Sequence, residues 1–353
     1  MLSLALALAM NVQPTQTAEL RKRGLEVLEQ IRREYYMPET KLYADSISID
    51  GKKDHPAFNW GVGVMLSALN AAAKVNPKYK SWLREYANAS RVYWNDKGPV
   101  AGYDVLPAPK PVDRYYDDNA WMVLALVETY EILGDKKYLD WAEQALDYVL
   151  SGQDEKLGGG IYWKENEKNG KNACSNGPSA AACLAVAKYR RKVELVIKAE
   201  GLLRWVDQKL MDPRDGLIWD NQSLSGKIDK TKYSYNTGLY LRGWKMLESY
   251  VPLDQKGLKR TYDSSLKFWI VPETGAAKDG GRFVHLWFEG LMKFSPKDAG
   301  TRKLMVRALE YAYEHARNSD GRFADRWDRP IEKDRKKFGL IDQASAARAF
   351  LVL

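Results

Sequence analysis

Apolar residues recur at every third or fourth position along most of the chain, and runs that alternate residue by residue are sparse. The first pattern is typical of α-helices that bury one face, and the second is the pattern expected of strands. The sequence therefore predicts an all-α fold with little sheet. We expect twelve helices, at residues 18–36, 58–76, 78–93, 117–134, 136–151, 176–190, 192–211, 233–250, 256–271, 284–295, 299–318 and 341–353.

The connections between these helices alternate in length. A long segment precedes each even-numbered helix, and a tight turn such as Gly134-Asp135 or Ser295-Pro296 follows it. Short turns join antiparallel neighbours, so all six long loops are expected at one end of the molecule. The long loops are residues 37–57, 94–116, 152–175, 212–232, 272–283 and 319–340. Six helix pairs arranged in this way predict an (α/α)6 barrel.

The composition of the helices predicts which of them lie inside. The even helices are rich in Ala and Gly and carry few charges, as in Gly61–Ala73 and Ala180–Ala187, whereas odd helices such as Lys137–Val149 are amphipathic. A helix that is apolar on all sides is buried on all sides. We therefore expect the even helices to form an inner ring and the odd helices an outer ring, in one domain that spans residues 19–353.

The first ten residues form an apolar run, and a short segment with small and polar residues follows it to Ala18. This arrangement resembles the end of a secretory signal peptide, although a buried first helical turn would have the same composition. No other stretch approaches the length of about 20 apolar residues that spans a bilayer. We interpret residues 1–18 as a signal-peptide remnant and expect an exported protein (periplasmic, cell-surface or extracellular) with no membrane span.

Charge and aromatic content narrow the class of ligand. Lys and Arg number 55 against 46 Asp and Glu, a formal net charge of +9, but the two signs are mixed along the whole chain and no nucleic-acid motif accompanies them. Such runs are typical of solvated helix faces, so no nucleic-acid partner is expected. The 12 Trp and 21 Tyr favour a ligand with faces that stack, such as a sugar, although many of these rings will fill the core.

Cysteine and histidine are few. The two cysteines, Cys174 and Cys183, have neither zinc spacing nor a CxxC pairing, and the three histidines are dispersed. We expect two buried free thiols, no metal site and no cofactor.

Two adjacent carboxylates stand where the fourth helix begins. Asp117 and Asp118 precede the apolar run Ala120–Val127. One of them could cap the helix while the other interacts with its dipole. Alternatively they form the pair that glycoside cleavage needs, with one acid to protonate the leaving oxygen and one carboxylate to attack the anomeric carbon or activate water. Proximity of like charges would keep one of them protonated.

Several blocks around this pair resemble glycoside hydrolase family 76, whose members are endo-α-1,6-mannanases and fungal wall transglycosidases of (α/α)6 fold. The resemblance is dense between residues 110 and 190 and thinner beyond. The blocks are Tyr115–Trp121, Gly134–Leu139, Gly158–Trp163, Lys171–Gly177, Tyr235–Gly238 and Phe288–Gly290.

The resemblance implies roles for the carboxylates. Asp117 matches the family's nucleophile and Asp118 its acid/base, which implies retention of configuration through a mannosyl-enzyme intermediate. Thr237 and Glu289 depart from the Gln and Lys expected at their positions.

Other residues of the long loops and of the starts of the inner helices are candidates to bind substrate. Aromatic rings stack on sugar faces, and amides and ammonium groups hydrogen-bond to hydroxyls. Each candidate also has an ordinary alternative, either core packing or fastening of a helix start. The candidates are Trp60, Tyr116, Asn119, Trp163, Lys171, Asn172, Asn176, Tyr235, Asn236 and Trp287.

The resemblance implies a retaining glycoside hydrolase that acts on α-1,6-linked α-mannan, within the polymer, and we expect a monomer. A mannan transglycosidase of the same fold and a glycan-binding protein without catalytic activity remain as alternatives.

Overall fold

The computed structural model describes residues 14–109 and 111–353, and the helices confirm the predicted pattern. Of the segment 1–18 interpreted as a signal-peptide remnant, residues 1–13 lie outside the described residues, and residues 14–18 form the start of the first helix. The helices are α1 (Pro14–Glu34), α2 (Asn59–Val75), α3 (Lys80–Ala89), α4 (Tyr116–Leu133), α5 (Lys136–Ser151), α6 (Ala173–Arg190), α7 (Val193–Leu210), α8 (Ser234–Leu247), α9 (Gln255–Trp269), α10 (Gly281–Phe294), α11 (Ala299–His315) and α12 (Leu340–Phe350).

The six even helices form a closed inner ring. Going round it, α2 packs on α4, α4 on α6, α6 on α8, α8 on α10, α10 on α12, and α12 returns to α2. Outer helices pack against this ring, for example α5 on α4 and α7 on α6. This is the predicted (α/α)6 barrel, with the Ala- and Gly-rich helices inside.

Small residues let the inner helices approach closely. A Cβ atom at Gly238 of α8 would lie 2.5 Å from the Cα of Trp287, and one at Gly290 of α10 would lie 2.2 Å from the carbonyl oxygen of Gly238. Only glycine fits at these two positions, because any side chain would meet backbone atoms of the facing helix.

The strands are short and lie mainly in the long loops, which explains why the sequence pattern did not predict them. β3 pairs with β9 and so joins the first long loop to the last, while β6 and β7 join two further loops. The strands are β1 (Tyr36–Met37), β2 (Leu42–Tyr43), β3 (Ser46–Ser48), β4 (Trp94–Asn95), β5 (Gly102–Tyr103), β6 (Gly170–Asn172), β7 (Asn221–Ser223), β8 (Ile228–Asp229) and β9 (Lys337–Gly339).

Each inner helix is capped by the long loop of the next helix pair. None of the six has a hydrogen bond from its own N-cap side chain. Instead, the first N–H of each helix donates to an oxygen of the neighbouring loop at 2.7–3.0 Å, which satisfies a group that helix geometry leaves unpaired. The pairs are Asn59 to Val105, Tyr116 to Trp163, Ala173 to Asp220, Ser234 to Asp279, Gly281 to Asp325 and Leu340 to Asp45.

This ring of caps fixes the loops over the mouth of the barrel. In the described part of the chain, no helix is long and apolar enough to cross a membrane.

Candidate active site

A groove of about 840 Å³ opens at the loop end of the barrel. Six of the predicted site residues line it: Trp60, Asp117, Asp118, Trp163, Asn172 and Tyr235. The other lining residues are Phe58, Val105, Tyr115, Trp121, Asn169, Gly170, Cys174, Asp220, Asn221, Ser223, Tyr233 and Phe283.

Asp117 stands in the first turn of α4, and its carboxylate accepts two hydrogen bonds. Its Oδ2 accepts from the indole Nε1 of Trp163 at 3.1 Å, and its Oδ1 accepts from the backbone N–H of Asp118 at 3.0 Å. Cys174 lines the same groove. Burial raises the pKa of Asp117 to about 6, and the two hydrogen-bond donors oppose the rise because they stabilise the charged form.

Asp118, the next residue, is 8% exposed and has a different environment. Burial raises its pKa well above the ordinary value for aspartate, and the negative charges of Asp117 and Asp113 raise it further. These surroundings favour a proton on Asp118 and leave Asp117 as the carboxyl of the pair whose charge has hydrogen-bond donors. This is the division between an acid and a nucleophile that glycoside cleavage requires.

Aromatic rings form one side of the groove. Phe283 stacks on Tyr235, with ring centroids 4.6 Å apart, and on Trp60 at 5.9 Å. Tyr233 packs against the same phenyl ring at 5.2 Å. Near Asp117, Trp163 is 42% exposed and meets Tyr115 edge to face at 4.9 Å. These faces are suited to stacking against sugar rings.

The three-stranded sheet forms a polar side. Asn172 ends β6, and Asn221 and Ser223 lie on the adjacent β7. Asp220 precedes β7 and its carboxylate accepts from Asn221 at 2.8 Å and from Asn236 at 3.3 Å. The predicted binding residue Asn236 is 2% exposed, so it orients Asp220 from behind the groove and does not line it.

Two predicted sugar-binding amides hold loops instead. Asn119, the fourth residue of α4, accepts from the backbone N–H of Tyr103 and donates to its carbonyl, at 2.8 and 2.9 Å. Asn176, the fourth residue of α6, makes the same two bonds with Ile161 at 2.8 and 3.1 Å. Both side chains are fully buried, so the expectation that they contact substrate is corrected.

The same arrangement recurs at other inner helices. Gln343, the fourth residue of α12, bonds to both backbone groups of Phe323 at 2.8 and 2.9 Å. In α8 this position is Thr237, whose hydroxyl accepts from the N–H of Ile218 at 3.3 Å. The departure from the family pattern at Thr237 therefore concerns loop attachment.

Lys171 is also internal. Its ammonium group is completely buried and donates to the carboxylate of Asp154 at 2.7 Å and to the carbonyl groups of Asp154, Lys156 and Gly159 at 2.7–3.0 Å. It thus holds the turn 154–160, in which three successive glycines have positive φ angles. Its predicted contact with substrate is corrected for this reason.

Two predicted stacking residues belong to the core. Tyr116 is 2% exposed and stacks on Tyr148 with centroids 4.9 Å apart. Trp287 is fully buried, and its indole N–H donates to the hydroxyl of Ser265 at 3.1 Å. Glu289, the second departure from the family pattern, is likewise buried and paired with Arg348 at 2.8 and 3.0 Å.

The sequence reasoning missed several groove residues, among them Tyr233, Phe283, Asp220 and Cys174. Tyr233, Cys174 and Phe283 each lie within two residues of the start of an inner helix. Asp220 supplies the carbonyl oxygen that caps α6. The positions of the helix starts were therefore the signal that could have found these residues. Both cysteines are free and buried, as predicted, but Cys174 lines the groove. Among the described residues, no group of three or more His, Cys, Asp or Glu side chains is placed to hold a metal ion.

Solved structures resemble this chain over nearly its whole length. A family 76 α-mannanase from Bacteroides thetaiotaomicron is 26% identical, with a TM-score of 0.86 and 94% of each chain covered. A family 76 mannosidase from the same species is 22% identical, with a TM-score of 0.85, 94% of this chain covered and 97% of the other.

A third structure is an α-1,6-mannanase from Salegentibacter sp. HEL1_6 in complex with α-1,6-mannotriose. It is an inactive variant in which two consecutive aspartates are replaced by asparagine. It is 20% identical, with a TM-score of 0.79 and coverage of 94% of this chain and 98% of the other. At this identity the likeness establishes the fold.

A search of curated proteins found no significant match. The family model for glycosyl hydrolase family 76 matches residues 22–351, which is nearly the entire chain. The match spans the whole helical ring and the groove with its two adjacent carboxylates. The chain belongs to glycosyl hydrolase family 76.

Proposed function

We propose that this protein is a retaining glycoside hydrolase that cleaves α-1,6-mannosidic bonds within α-mannan. The observation that carries the proposal is the pair Asp117 and Asp118 in the groove, where Asp117 accepts hydrogen bonds from Trp163 and from the N–H of Asp118, and burial and neighbouring negative charges favour a proton on Asp118. The substrate class comes from the family and from the α-mannanases of the same fold.

The reaction proceeds in two steps. Asp118 gives its proton to the glycosidic oxygen while the carboxylate of Asp117 attacks the anomeric carbon, which forms a mannosyl ester and releases the remainder of the chain. Asp118, now ionised, takes a proton from water as the water attacks the anomeric carbon of the mannosyl ester, and Asp117 leaves as a carboxylate. Adjacent residues have Cα atoms about 3.8 Å apart, which favours the short carboxyl spacing of retaining enzymes over the wider spacing of inverting ones.

The remaining groove residues bind the polymer. The rings of Trp163, Trp60 and Tyr235 stack on mannose units on both sides of the cleaved bond. Asn172 and Asp220 hydrogen-bond to mannose hydroxyls, since an amide donates and accepts and a carboxylate accepts from two hydroxyls at once. This arrangement also suits a glycan-binding protein, and the carboxylate pair is what favours catalysis.

The test is the product profile on linear α-1,6-mannan, with Asp117→Asn as the matched control. We expect oligosaccharides of mixed length to form early in the reaction, and mannose alone would contradict action within the chain. Products longer than the substrate, formed when an acceptor sugar is present, would identify a transglycosidase. Binding of the polymer without any new reducing end would identify a glycan-binding protein.

Retention has its own measurement. Proton NMR of the first-formed product should show the α-anomer before mutarotation. If the β-anomer forms first, Asp117 is not the nucleophile.

We also propose that the protein is exported and monomeric. Export rests on the apolar residues 1–10, and fractionation of the native host, with detection of the protein outside the cytoplasm, tests it. Sedimentation of the purified protein tests the monomer, and a dimer mass would contradict it.

A further inference from the structure

The fold sorts the charged residues between the two ends of the barrel. The six long loops, which lie at the groove end, carry 23 Lys and Arg against 22 Asp and Glu. The five short turns at the opposite end, with the helix ends that flank them, carry 18 Lys and Arg against 6 Asp and Glu. These five segments form the turn face, and they are residues 74–80, 131–137, 188–198, 245–260 and 293–303. The positive charge that is spread along the sequence is therefore concentrated at the end away from the groove.

Side-chain contacts bring the segments of the turn face together. Lys74, at the end of α2, pairs with Glu128 of α4 at 2.6 Å. Lys188, at the end of α6, pairs with Glu131 of the same helix at 2.9 Å. Burial, and then neighbouring positive charges that include Lys188 and Lys74, lower the pKa of Lys293 at the end of α10. Cations from α2, α6 and α10 thus lie close to one another at this end of the barrel.

Carboxylates neutralise only part of this positive charge. Arg190 and Lys192 pair with Glu143 of α5 at 2.7 and 2.6 Å. Arg191, Lys198 and Lys256 are exposed, and they have no ion-pair partner within residues 14–109 and 111–353. Exposed cations of the turn face therefore remain available to an anionic partner.

An apolar hollow lies among these cations. Val193 and Ile197, one turn apart on α7, are 69% and 66% exposed, the highest values for large apolar side chains in the described part of the chain. Together with Tyr250, which follows α8 and is 47% exposed, they line a hollow of about 490 Å³. The basic residues of its lining are Lys188, Arg191 and Lys192. Apolar side chains flanked by Lys and Arg are typical of surfaces that bind anionic membranes.

We propose that the turn face is a docking surface for an anionic lipid bilayer, with its cations on the lipid headgroups and with Val193, Ile197 and Tyr250 inserted between them. A soluble polyanion would neutralise the cations but leave the apolar side chains in water. The combination of charge and exposed apolar surface therefore favours the bilayer. Docking in this orientation directs the groove away from the membrane, where a polymer can reach it.

Co-sedimentation with vesicles tests the docking. The purified protein is mixed with vesicles of phosphatidylcholine alone, and with vesicles of equal parts phosphatidylcholine and phosphatidylglycerol. We expect at least roughly 10-fold stronger binding to the second kind, because each Lys or Arg close to an anionic surface adds to the attraction. The difference should disappear at about 1 M salt, where charges are screened within about 3 Å. Equal binding to both kinds of vesicle, or binding to neither, overturns the proposal.

Two double variants locate the surface on the molecule. Arg191→Glu with Lys198→Glu reverses two unpaired charges of the turn face, and Val193→Gln with Ile197→Gln removes the exposed apolar side chains. Each should weaken binding to the phosphatidylglycerol vesicles by roughly 10-fold or more. Residues 1–13 are present in every variant, so a difference between variants reports on the turn face.

The matched control is a charge reversal at the groove end. Lys333→Glu with Lys336→Glu alters two exposed lysines of the last long loop and changes the net charge by the same amount. This variant should bind the vesicles as the wild type does, and an equal loss of binding would show that only the net charge matters. If the apolar variant binds normally and dextran sulfate displaces the vesicles, the turn face is a general polyanion site. Either result overturns the proposal.

The inference does not depend on the substrate, since vesicle binding is measured without mannan. A protein that binds the vesicles but releases nothing from mannan would lose the proposed function and keep the docking surface. If the protein is active, the vesicle-bound form should hydrolyse mannan as fast as the free form. Complete loss of activity on binding would mean that the groove lies against the bilayer, which overturns the proposed orientation.

Discussion

Trp163 holds the start of α4 at two points. Its carbonyl oxygen accepts from the N–H of Tyr116 at 2.9 Å, and its indole N–H donates to the carboxylate of Asp117 at 3.1 Å. The same residue therefore caps α4 and orients the carboxylate at its first turn. Its ring face, 42% exposed, remains available to a sugar.

Trp163→Phe should separate these tasks. The variant keeps the backbone cap and an aromatic face but loses the hydrogen bond to Asp117. We expect kcat to fall by roughly 10- to 100-fold, as for loss of one hydrogen bond to a charged group, with a small change in KM. Trp163→Ala should raise KM as well, because the stacking face is lost. Steady-state kinetics on α-1,6-mannan measures both, and an unchanged kcat in Trp163→Phe would argue against the orienting role.

Asp117→Asn and Asp118→Asn should both abolish most turnover of the polymer but differ on activated substrates. General acid catalysis typically contributes about 10²- to 10⁴-fold. Asp118→Asn should therefore recover much of its rate on a mannoside with a good leaving group, which needs little protonation, whereas Asp117→Asn should not. Circular dichroism confirms that the variants are folded. Normal turnover of mannan by either variant would refute the assignment.

The pH profile should be bell-shaped. Activity requires Asp117 ionised, so kcat/KM should rise as the pH increases through about 6, the pKa of this group. Activity also requires Asp118 protonated, so kcat/KM should fall at higher pH, where Asp118 loses its proton. Initial rates between pH 4 and pH 10, an interval of roughly 3 units on each side of neutrality, measure both limbs. A profile that keeps rising toward pH 10 would contradict the role of Asp118.

The ionised carboxylate of Asp118 should lower the stability of the folded protein, and this effect should depend on pH. Its pKa is raised in the folded state, so the folded form binds a proton that the unfolded chain releases. The carboxyl therefore does not disfavour folding below its unfolded pKa of about 3.9, and it disfavours folding increasingly as the pH rises above that value. Asp118→Asn should raise the melting temperature at pH 7 and raise it less at pH 4. Equal changes at both pH values would show that charge is not the cause.

Substitution of the buried amide Asn176 should lower stability and leave substrate binding unchanged. Asn176→Ala removes the bonds that hold Ile161 and leaves two backbone groups unpaired, so we expect a loss of about 2–4 kcal/mol of stability. The KM of the folded enzyme should be unchanged, because the side chain does not face the groove. Asn172→Ala, four residues earlier and in the groove, is the matched comparison and should raise KM with little effect on the melting temperature. If Asn176→Ala raises KM without destabilising the protein, Asn176 binds substrate after all.

The sequence predicted the helices because their apolar spacing and the alternating loop lengths are local properties. It also placed Asp117 and Asp118 at the mouth, since the start of an inner helix is recognisable from the run of apolar residues after it. The sequence did not show that Asn172 lines the groove whereas Asn176 is buried away from it. Both stand at the start of α6, and only the path of the loop through Ile161 decides which amide turns inward.

The missed residues have a related explanation. Tyr233 lies just before α8 and Phe283 in the first turn of α10, and nothing local distinguishes them from core aromatics such as Trp287. Cys174 was expected as an ordinary buried thiol, and its burial is correct. Its place in the same groove as Asp117 depends on the packing of α4 against α6, which the sequence pattern alone does not show.

The ring of caps affects how the molecule unfolds and which loop exchanges it tolerates. In an open solenoid the end repeats can fray, because each contacts a neighbour on one side only. In this barrel every helix hairpin packs against two others. If one hairpin opens, its loop no longer caps the neighbouring inner helix, and the first N–H of that helix is left unpaired. Melting should accordingly be a single transition. Exchange of a loop between relatives should be tolerated where the incoming segment still presents an oxygen to the neighbouring helix, whatever side chains it carries.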